Sequence, residues 1–169
     1  MRISELLHDG VVLPSVTSPG KEQALMEVSA RLSGCYREVD RDDLTVALLK
    51  RERLMSTALA DGVAIPHARL RGLSRPIAAF GRSRTGIDWA AQDGAPTTLF
   101  VVLVVPDEAQ SSHLKLLAAV SRLLHDPGCR ARLLEARDDA LLQTLRAEEE
   151  RASGGTSSPW RLVPVRTSA

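Results

Sequence analysis

A run of seven apolar residues, Leu99 to Val105, is the feature that most constrains the fold of this chain. The run does not alternate between apolar and polar positions, which is typical of a β-strand that is covered on both faces. Pro106 follows the run and ends it, because proline has no backbone N–H to donate. A strand of this kind predicts a sheet with helices packed against each face.

Helical signals lie before and after this strand. Ser18-Pro19 predicts a helix start, since serine can cap a helix and proline is tolerated at its first position. This helix should run to about Leu32, and Asp40 caps a second one. The other predicted elements are strands at 77–81 and 86–89 and helices at 109–125, 129–136 and 138–149.

The length of 169 residues is sufficient for one domain with a sizeable core. Only 3% of the residues are aromatic, so the core must consist mainly of Leu, Val, Ile and Ala. The composition becomes polar and rich in Gly and Ser from Arg151 onward. We therefore expect a single α/β domain over residues 1–150, with a mixed β-sheet flanked by helices on both faces, and a flexible C-terminal tail over residues 151–169.

Charge and cysteine usage narrow the classes of function. The net charge is +1, from 22 basic and 21 acidic side chains, which gives no reason to expect a nucleic acid partner. Cys35 and Cys129 are far apart and have no CxxC spacing, so neither a zinc ribbon nor a disulfide framework is indicated. The N-terminus lacks the apolar core of a signal peptide, and the longest apolar run is too short to span a bilayer. These features predict a cytoplasmic protein without membrane insertion.

Three polar residues are each attached to an apolar element that should orient them. His67 follows Ile65-Pro66, where proline stiffens the backbone and keeps the preceding residue extended, so the histidine should be held at the end of a strand. Arg51 falls on the apolar stripe of the second helix, in its last turn. His113 lies in the first turns of the helix that follows the buried strand, where open α/β sheets tend to place their sites.

If these three side chains meet, they form a site for phosphoryl transfer. His67 would be the nucleophile, His113 would orient the group or donate a hydrogen bond, and Arg51 would offset negative charge. Each also has a structural interpretation: an arginine at a helix end can snorkel, and a histidine at a helix start can simply pack. A metal site from His67 and His113 is a further alternative, although no third ligand is evident.

Five arginines occur within a short distance after His67. A solvated basic face and a docking site for an acidic partner surface both remain open for them. They are Arg69, Arg71, Arg75, Arg82 and Arg84.

Residues 51–69 resemble the active-site signature of the phosphotransferase-system (PTS) enzyme IIA domains of type 2, the fructose/mannitol class that includes the nitrogen-regulatory IIA proteins. The resemblance is carried by Arg51, Ser56-Thr57 and Ala64-Ile65-Pro66-His67. The segment from Pro106 to Leu124 is similar to the family's second-histidine helix. The similarity covers about residues 1–148.

The resemblance implies a mixed sheet flanked by helices and a phosphohistidine intermediate. The histidine matching His67 accepts a phosphoryl group from the carrier HPr or its nitrogen-branch relative. The group then passes to a IIB domain, or the phosphorylation state acts as a signal to a regulatory target. No cofactor or metal is implied. The residues expected around the phosphoryl group are Arg51 and His113, with Ser56, Thr57 and Arg69 as further candidates.

Within this family, a stand-alone chain favours regulation of the nitrogen-branch type. A sugar-specific IIA component for fructose- or mannitol-type uptake is the alternative, and a metal-dependent hydrolase is a weaker one. The chain departs from the family where glycine is usual, with Met55, Ala58 and Ala60 at those positions. Since glycine permits conformations that other residues disfavour, we expect the loop before His67 to be shaped differently.

Overall fold

A computed structural model of the protein describes residues 2–108 and 110–154, and for residues 110–112 it describes the backbone only. Within these residues the secondary structure comprises five strands, five α-helices and three short 3-10 helices. The strands are β1 (Val12–Leu13), β2 (Val63–Ala64), β3 (His67–Leu70), β4 (Ile77–Ile87) and β5 (Thr97–Pro106). The helices are α1 (Lys21–Cys35), α2 (Arg41–Leu54), α3 (Gln110–His125), α4 (Pro127–Glu135) and α5 (Leu141–Gly154), and the 3-10 helices are Ile3–Leu6, Asp9–Val11 and Asp138–Ala140.

The five strands form one mixed sheet around β5. On one side β5 pairs antiparallel with β4, which in turn pairs in parallel with β1. On the other side β5 pairs in parallel with β2 and then with β3, one after the other along its length. Consecutive residues of β5 from Leu99 to Val105 are all buried, so both faces of the central strand are covered, as the apolar run predicted.

Helices pack against this sheet from both sides. Helices α1 and α2 pack together and α2 lies against β3, while α3 and α4 lie against β5. The predicted fold class, a single α/β domain with a mixed sheet flanked by helices, is confirmed. In the described segments, no helix combines the length and the apolar character needed to cross a membrane.

The first long helix begins later than Ser18-Pro19 predicted. Its N-cap is Gly20 and its first residue is Lys21. Gly20 forms a parallel bridge with Asp88, and the Ser18 hydroxyl donates to Glu27 at 2.9 Å instead of capping the helix. Tertiary pairing with the end of β4 therefore delays the helix start, a contact that local sequence cannot reveal.

The two short strands predicted at 77–81 and 86–89 are one long strand, β4, with an irregularity in its pairing between Arg82 and Ile87. The polar stretch from Arg82 to Thr85 looked like a loop in the sequence. However, the Arg82 side chain is completely buried and donates to the Leu133 and Ala136 carbonyls at the end of α4. A charged residue therefore continues the strand because the end of a helix supplies its hydrogen-bond acceptors.

The last helix passes the predicted domain boundary at residue 150. Helix α5 continues to Gly154, so residues 151–154 of the predicted tail are helical. The rest of the predicted tail, residues 155–169, lies outside the described residues.

Candidate functional site

His67 lies on the edge of the sheet, directly after a proline that separates two strands. β2 ends at Ala64 and β3 begins at His67, so His67 starts a strand instead of ending one as predicted. The Pro66 carbonyl accepts a hydrogen bond from Leu103 N at 2.9 Å, which keeps the backbone attached to β5 across the interruption. The backbone of His67 is therefore held against β5 by the Pro66 carbonyl before it and by the pairing of β3 from His67 onward.

Two hydrogen bonds orient the imidazole ring of His67. Nδ1 lies 2.8 Å from the Ile65 carbonyl oxygen, and Nε2 lies 3.0 Å from Nε of Arg51. A carbonyl oxygen only accepts and a guanidinium only donates, so Nδ1 carries the proton and Nε2 carries the lone pair. The ring is thus held in one neutral tautomer with Nε2 as its basic nitrogen.

Arg51 reaches His67 from the last turn of α2. The helix is capped by the Asp40 carboxylate, which accepts from the backbone N–H groups of Asp42 at 2.9 Å and Asp43 at 3.0 Å. A second guanidinium nitrogen, Nη1, donates to the Met55 carbonyl at 2.9 Å. The half-buried arginine is therefore anchored at the end of its own helix and directed at the histidine.

His113 comes from α3, which follows the central strand. Its ring centroid lies 4.9 Å from that of His67, with the two ring planes tilted by 58°. Among the described residues, Nδ1 of His113 is buried and has no hydrogen-bond partner. The structure thus brings together the three residues that the sequence selected, from α2, β3 and α3.

Both rings are electrostatically biased toward the neutral form. Burial lowers the pKa of His67 from its ordinary value; the bond to the Ile65 carbonyl opposes this, and the Arg51 charge adds to it. Burial also lowers the pKa of His113, helped by the neighbouring His67 and by the charges of Arg69 and Arg51. A neutral imidazole has a free lone pair, which is what a nucleophile needs.

The three residues line a cavity of about 450 Å³. Arg69, a further candidate from the sequence, lines it as well, so each of the charged side chains on its wall is basic. The remaining lining residues are Ala47, Lys50, Leu54 and Ala68.

Ser56 and Thr57, the other candidates for the phosphate pocket, are not among the residues that line this cavity. The Ser56 hydroxyl donates to the Trp89 carbonyl at 2.8 Å. The Thr57 hydroxyl donates to the Glu52 carboxylate, which also accepts from the Thr57 backbone N–H at 3.2 Å. Both hydroxyls are engaged away from the cavity in this structure, and their role as phosphate ligands stays a prediction.

Sequence reasoning overlooked Glu52. It is 5% exposed, forms an ion pair with Lys21 at 3.2 Å and fixes Thr57, so it ties the chain leaving α2 to the body of the protein. A signal was present: Leu44, Leu48 and Glu52 are spaced by four residues and share one face of the helix.

The loop before His67 does not use glycine's conformational freedom at the three positions where the family usually has it. In the described residues the positive φ angles of this loop are at Asp61 (62°) and Gly62 (76°), and not at Met55, Ala58 or Ala60. Gly62 lies against the Pro96 carbonyl, 3.1 Å from where a Cβ would be. The tight turn of this loop is thus made at Asp61 and Gly62. A difference in loop shape from the relatives stays a prediction.

Metal binding was an alternative for the two histidines. Over residues 2–108 and 110–154, no group of three or more His, Cys, Asp and Glu side chains is placed to hold an ion.

Comparison with known proteins identifies the family. The family model described as "Phosphoenolpyruvate-dependent sugar phosphotransferase system, EIIA 2" matches residues 5–147. The chain belongs to this EIIA 2 family. It is 37% identical over 138 residues to a nitrogen regulatory protein of Bradyrhizobium diazoefficiens, covering 82% of this chain and 90% of the relative.

Other proteins that this chain resembles differ in size and in name. The PTS system fructose-specific EIIABC component of Bacillus subtilis is 33% identical over 151 residues, which is 89% of this chain but 24% of that protein. The crystal structure of the nitrogen regulatory protein IIA-Ntr from Neisseria meningitidis superposes with a TM-score of 0.78 at 29% identity, over 85% of this chain and 98% of that one. The resemblance stated from the sequence is thus confirmed.

Proposed function

We propose that this EIIA 2 protein is a phosphocarrier that accepts a phosphoryl group on Nε2 of His67. The observation that carries the proposal is the pair of hydrogen bonds on the ring. The Ile65 carbonyl holds the proton on Nδ1, which leaves the lone pair on Nε2 at the wall of a basic cavity. A nucleophile held in one tautomer needs no proton transfer before it attacks phosphorus.

The transfer is a displacement between two histidines. The Nε2 lone pair of His67 forms the new P–N bond while the P–N bond to the donor histidine breaks, and its electron pair returns to the donor ring. The proton on Nδ1 of His67 stays in place during phosphorylation, and Nδ1 still donates it to the Ile65 carbonyl oxygen. No metal or cofactor is required for this balance of atoms and charge.

Arg51 has two successive tasks in this mechanism. In the unphosphorylated protein its Nε donates to the nitrogen that must react. It has to release that lone pair and turn toward the phosphoryl oxygens, where a guanidinium offsets the spread negative charge. Arg69 and the neutral His113 ring, on the same cavity wall, supply the other donors.

The donor is an HPr-type carrier, either HPr or its nitrogen-branch relative, and the output is regulatory. Support comes from the nitrogen regulatory relative, which this chain matches over 90% of its length. In this role the phosphorylated and unphosphorylated forms would bind a regulatory target with different affinity. The cytoplasm, where the donor system operates, remains the predicted location.

A sugar-specific role is the second candidate, with a IIB domain as acceptor. It is favoured by the similarity to the fructose-specific EIIABC component, although the chain spans only 24% of that protein. Capture of partners by His67→Ala and by the mimic His67→Asp separates the two uses. Partners that differ between the two variants support switching, whereas rapid transfer of label to a IIB domain supports uptake. No specific observation favours the metal-dependent hydrolase.

The test of the phosphocarrier is incubation with enzyme I, the HPr-type carrier and labelled phosphoenolpyruvate. We expect an acid-labile label on the protein that is lost in His67→Ala. His125→Ala is the matched control, because His125 is exposed at the end of α3 and does not line the cavity. An intact protein that takes no label, or a His67→Ala variant that keeps it, contradicts the proposal.

A further inference from the structure

The two hydrogen bonds that orient the His67 ring both trace back to the short segment from Met55 to Thr57, which follows α2. Nη1 of Arg51 donates to the Met55 carbonyl at 2.9 Å, so this segment holds the guanidinium that meets Nε2 of the ring. The Thr57 carbonyl accepts from the Ile65 backbone N–H at 3.0 Å, and the Ile65 carbonyl in turn lies 2.8 Å from Nδ1 of His67. The position of this segment therefore decides where both neighbours of the ring lie.

The segment from Met55 to Thr57 lies outside the helices and strands, and the Glu52 carboxylate anchors it. Both carboxylate oxygens lie 3.2 Å from the backbone nitrogen of Thr57, and one of them also accepts from the Thr57 hydroxyl. Nζ of Lys21, on α1, lies 3.2 Å from the other oxygen. Donors from two parts of the chain thus converge on a side chain that is almost completely buried.

A carboxylate suits these donors, whereas an amide of the same shape does not. Each carboxylate oxygen accepts hydrogen bonds, but an amide has one oxygen and an NH2 group that only donates. In Glu52→Gln the NH2 group would face the Thr57 backbone N–H, the Lys21 ammonium or both, and these groups are donors themselves. The substitution therefore keeps the size of the side chain and weakens the anchor.

We propose that Glu52 is a positioning residue for phosphoryl transfer: through Thr57 it fixes the Ile65 carbonyl, and so keeps His67 in the tautomer with its lone pair on Nε2. This role rests on the proposed function. Glu52 does not line the cavity, so it acts only through the residues that it holds. When the anchor is lost, the Nδ1 proton no longer has a fixed acceptor, and a ring with its proton on Nε2 cannot attack phosphorus.

A second buried carboxylate, that of Glu149, provides the matched control. It likewise accepts from backbone N–H groups, those of Ile3 and Ser4, and from the Ser4 hydroxyl. It is 7% exposed, against 5% for Glu52, and it does not line the cavity. Glu149→Gln therefore makes the same chemical change and loses similar bonds at a place that does not support the His67 ring.

The first measurement is the tautomer of His67 in the unphosphorylated protein, from the 15N chemical shifts of its two ring nitrogens. It is made at about pH 8, where a histidine of ordinary pKa is neutral. In the wild-type and Glu149→Gln proteins we expect a protonated Nδ1 and an unprotonated Nε2. In Glu52→Gln the two shifts should move toward each other, because both tautomers are then populated. This readout uses no phosphate donor.

The second measurement is the rate of phosphorylation by the labelled HPr-type carrier of the same organism. We expect kcat to fall about tenfold in Glu52→Gln and to change less than about twofold in Glu149→Gln, because the loss of an oriented nucleophile affects the chemical step. KM for the carrier should stay within about twofold of the wild-type value, since a buried side chain does not contact the carrier. Phosphoramidate, a small donor, should give the same ratio between the variants.

Thr57→Val provides the test if Glu52→Gln does not fold. It keeps the ion pair of Glu52 with Lys21 and removes the hydroxyl that donates to the carboxylate. We expect the same change in the His67 shifts, to a smaller extent, and a fall in kcat of about threefold. A slower Thr57→Val protein with unchanged His67 shifts would overturn the inference, because its hydroxyl would then act on the phosphoryl group and not on the ring.

Other outcomes separate this inference from the proposed function. Glu52→Gln overturns it when the His67 shifts stay at their wild-type values, whatever the labelling rate. Equal losses of rate in Glu52→Gln and Glu149→Gln also overturn it, since that pattern reflects stability alone. If the wild-type protein takes no label from either donor, the proposed function fails, and the 15N shifts alone decide whether Glu52 holds the tautomer.

Discussion

At the scale of single residues, the proposed reactivity of His67 depends on two neighbours with opposite effects on the pKa of its ring. The Ile65 carbonyl binds the protonated nitrogen and the Arg51 guanidinium covers the other one. The first contact favours the reactive tautomer. The second lowers the pKa of the ring and at the same time occupies its lone pair.

The lowered pKa of His67 gives a pH prediction. Labelling of the wild-type protein should be independent of pH near neutrality and should decline only well below about 6.5, the ordinary histidine value, because protonation removes the lone pair. In Arg51→Gln the loss of a nearby cation should raise the pKa of His67, measured by NMR titration of the ring. Arg53→Gln, an exposed change, is the control; an equal shift in both variants would contradict this assignment.

Glu52 provides a second prediction at this scale. Glu52→Gln leaves Lys21 without its buried counter-ion and weakens the bonds to Thr57, so the free energy of unfolding should fall by about 2 kcal/mol. Urea denaturation measures this change. The exposed Glu22→Gln is the matched control and should stay within about 0.5 kcal/mol of the wild type. A similarly small effect of Glu52→Gln would show that the buried carboxylate is dispensable for stability.

At the scale of elements, the sheet is assembled by close contact between β4 and β5. Gly81 pairs with Phe100, whose ring lies 2.1 Å from the position that a Cβ on Gly81 would take. The Phe100 ring therefore fills the space that the missing side chain of Gly81 leaves open. Two residues earlier in β4, Ala79 pairs with Val102.

Gly81→Ala should destabilise the protein by about 1–3 kcal/mol, because the added methyl group forces a buried aromatic ring out of place. Gly34→Ala is the matched control. Gly34 lies within α1 and has nothing within 4 Å of the added Cβ, so this change should leave stability unchanged or raise it by up to about 1 kcal/mol. Thermal unfolding of the two variants with the same sign and size would contradict the packing argument.

The elements also show what the sequence could and could not predict. The apolar run of β5, the Asp40 cap and the period of α3 depend on local sequence, and each was predicted. The start of α1 and the continuity of β4 depend on partners distant in sequence, Asp88 for Gly20 and the end of α4 for Arg82. Arg51, His67 and His113 also come from separate elements, so the sequence could not show that their side chains meet. The burial of Glu52 was missed.

At the scale of the whole molecule, α5 connects the two ends of the described chain. The Glu149 carboxylate accepts from the backbone N–H groups of Ile3 at 2.6 Å and Ser4 at 3.1 Å, and Glu148 is buried and paired with Arg132 at 2.6 Å. The sequence predicted a domain that ends at residue 150. Beyond that boundary, Arg151 forms an ion pair with Glu148 and the Ser153 hydroxyl donates to the Glu149 carbonyl at 2.8 Å. We propose instead that the folded unit includes all of α5.

A chain that ends at residue 147 loses both carboxylates and should be less stable than one that ends at Gly154 by about 3 kcal/mol, since buried donors and Arg132 lose their acceptors. Chemical denaturation of the two truncated proteins tests this. If their midpoints coincide, residues 148–154 do not belong to the cooperative unit.

The central claim is that His67 carries the phosphoryl group on Nε2. NMR of the protein with 15N-labelled histidines, before and after phosphorylation by the HPr-type carrier, tests it most directly. We predict that phosphorus couples to Nε2 of His67 while Nδ1 keeps its proton and its bond to the Ile65 carbonyl. Phosphorus on Nδ1 of His67, or on His113, would contradict the account.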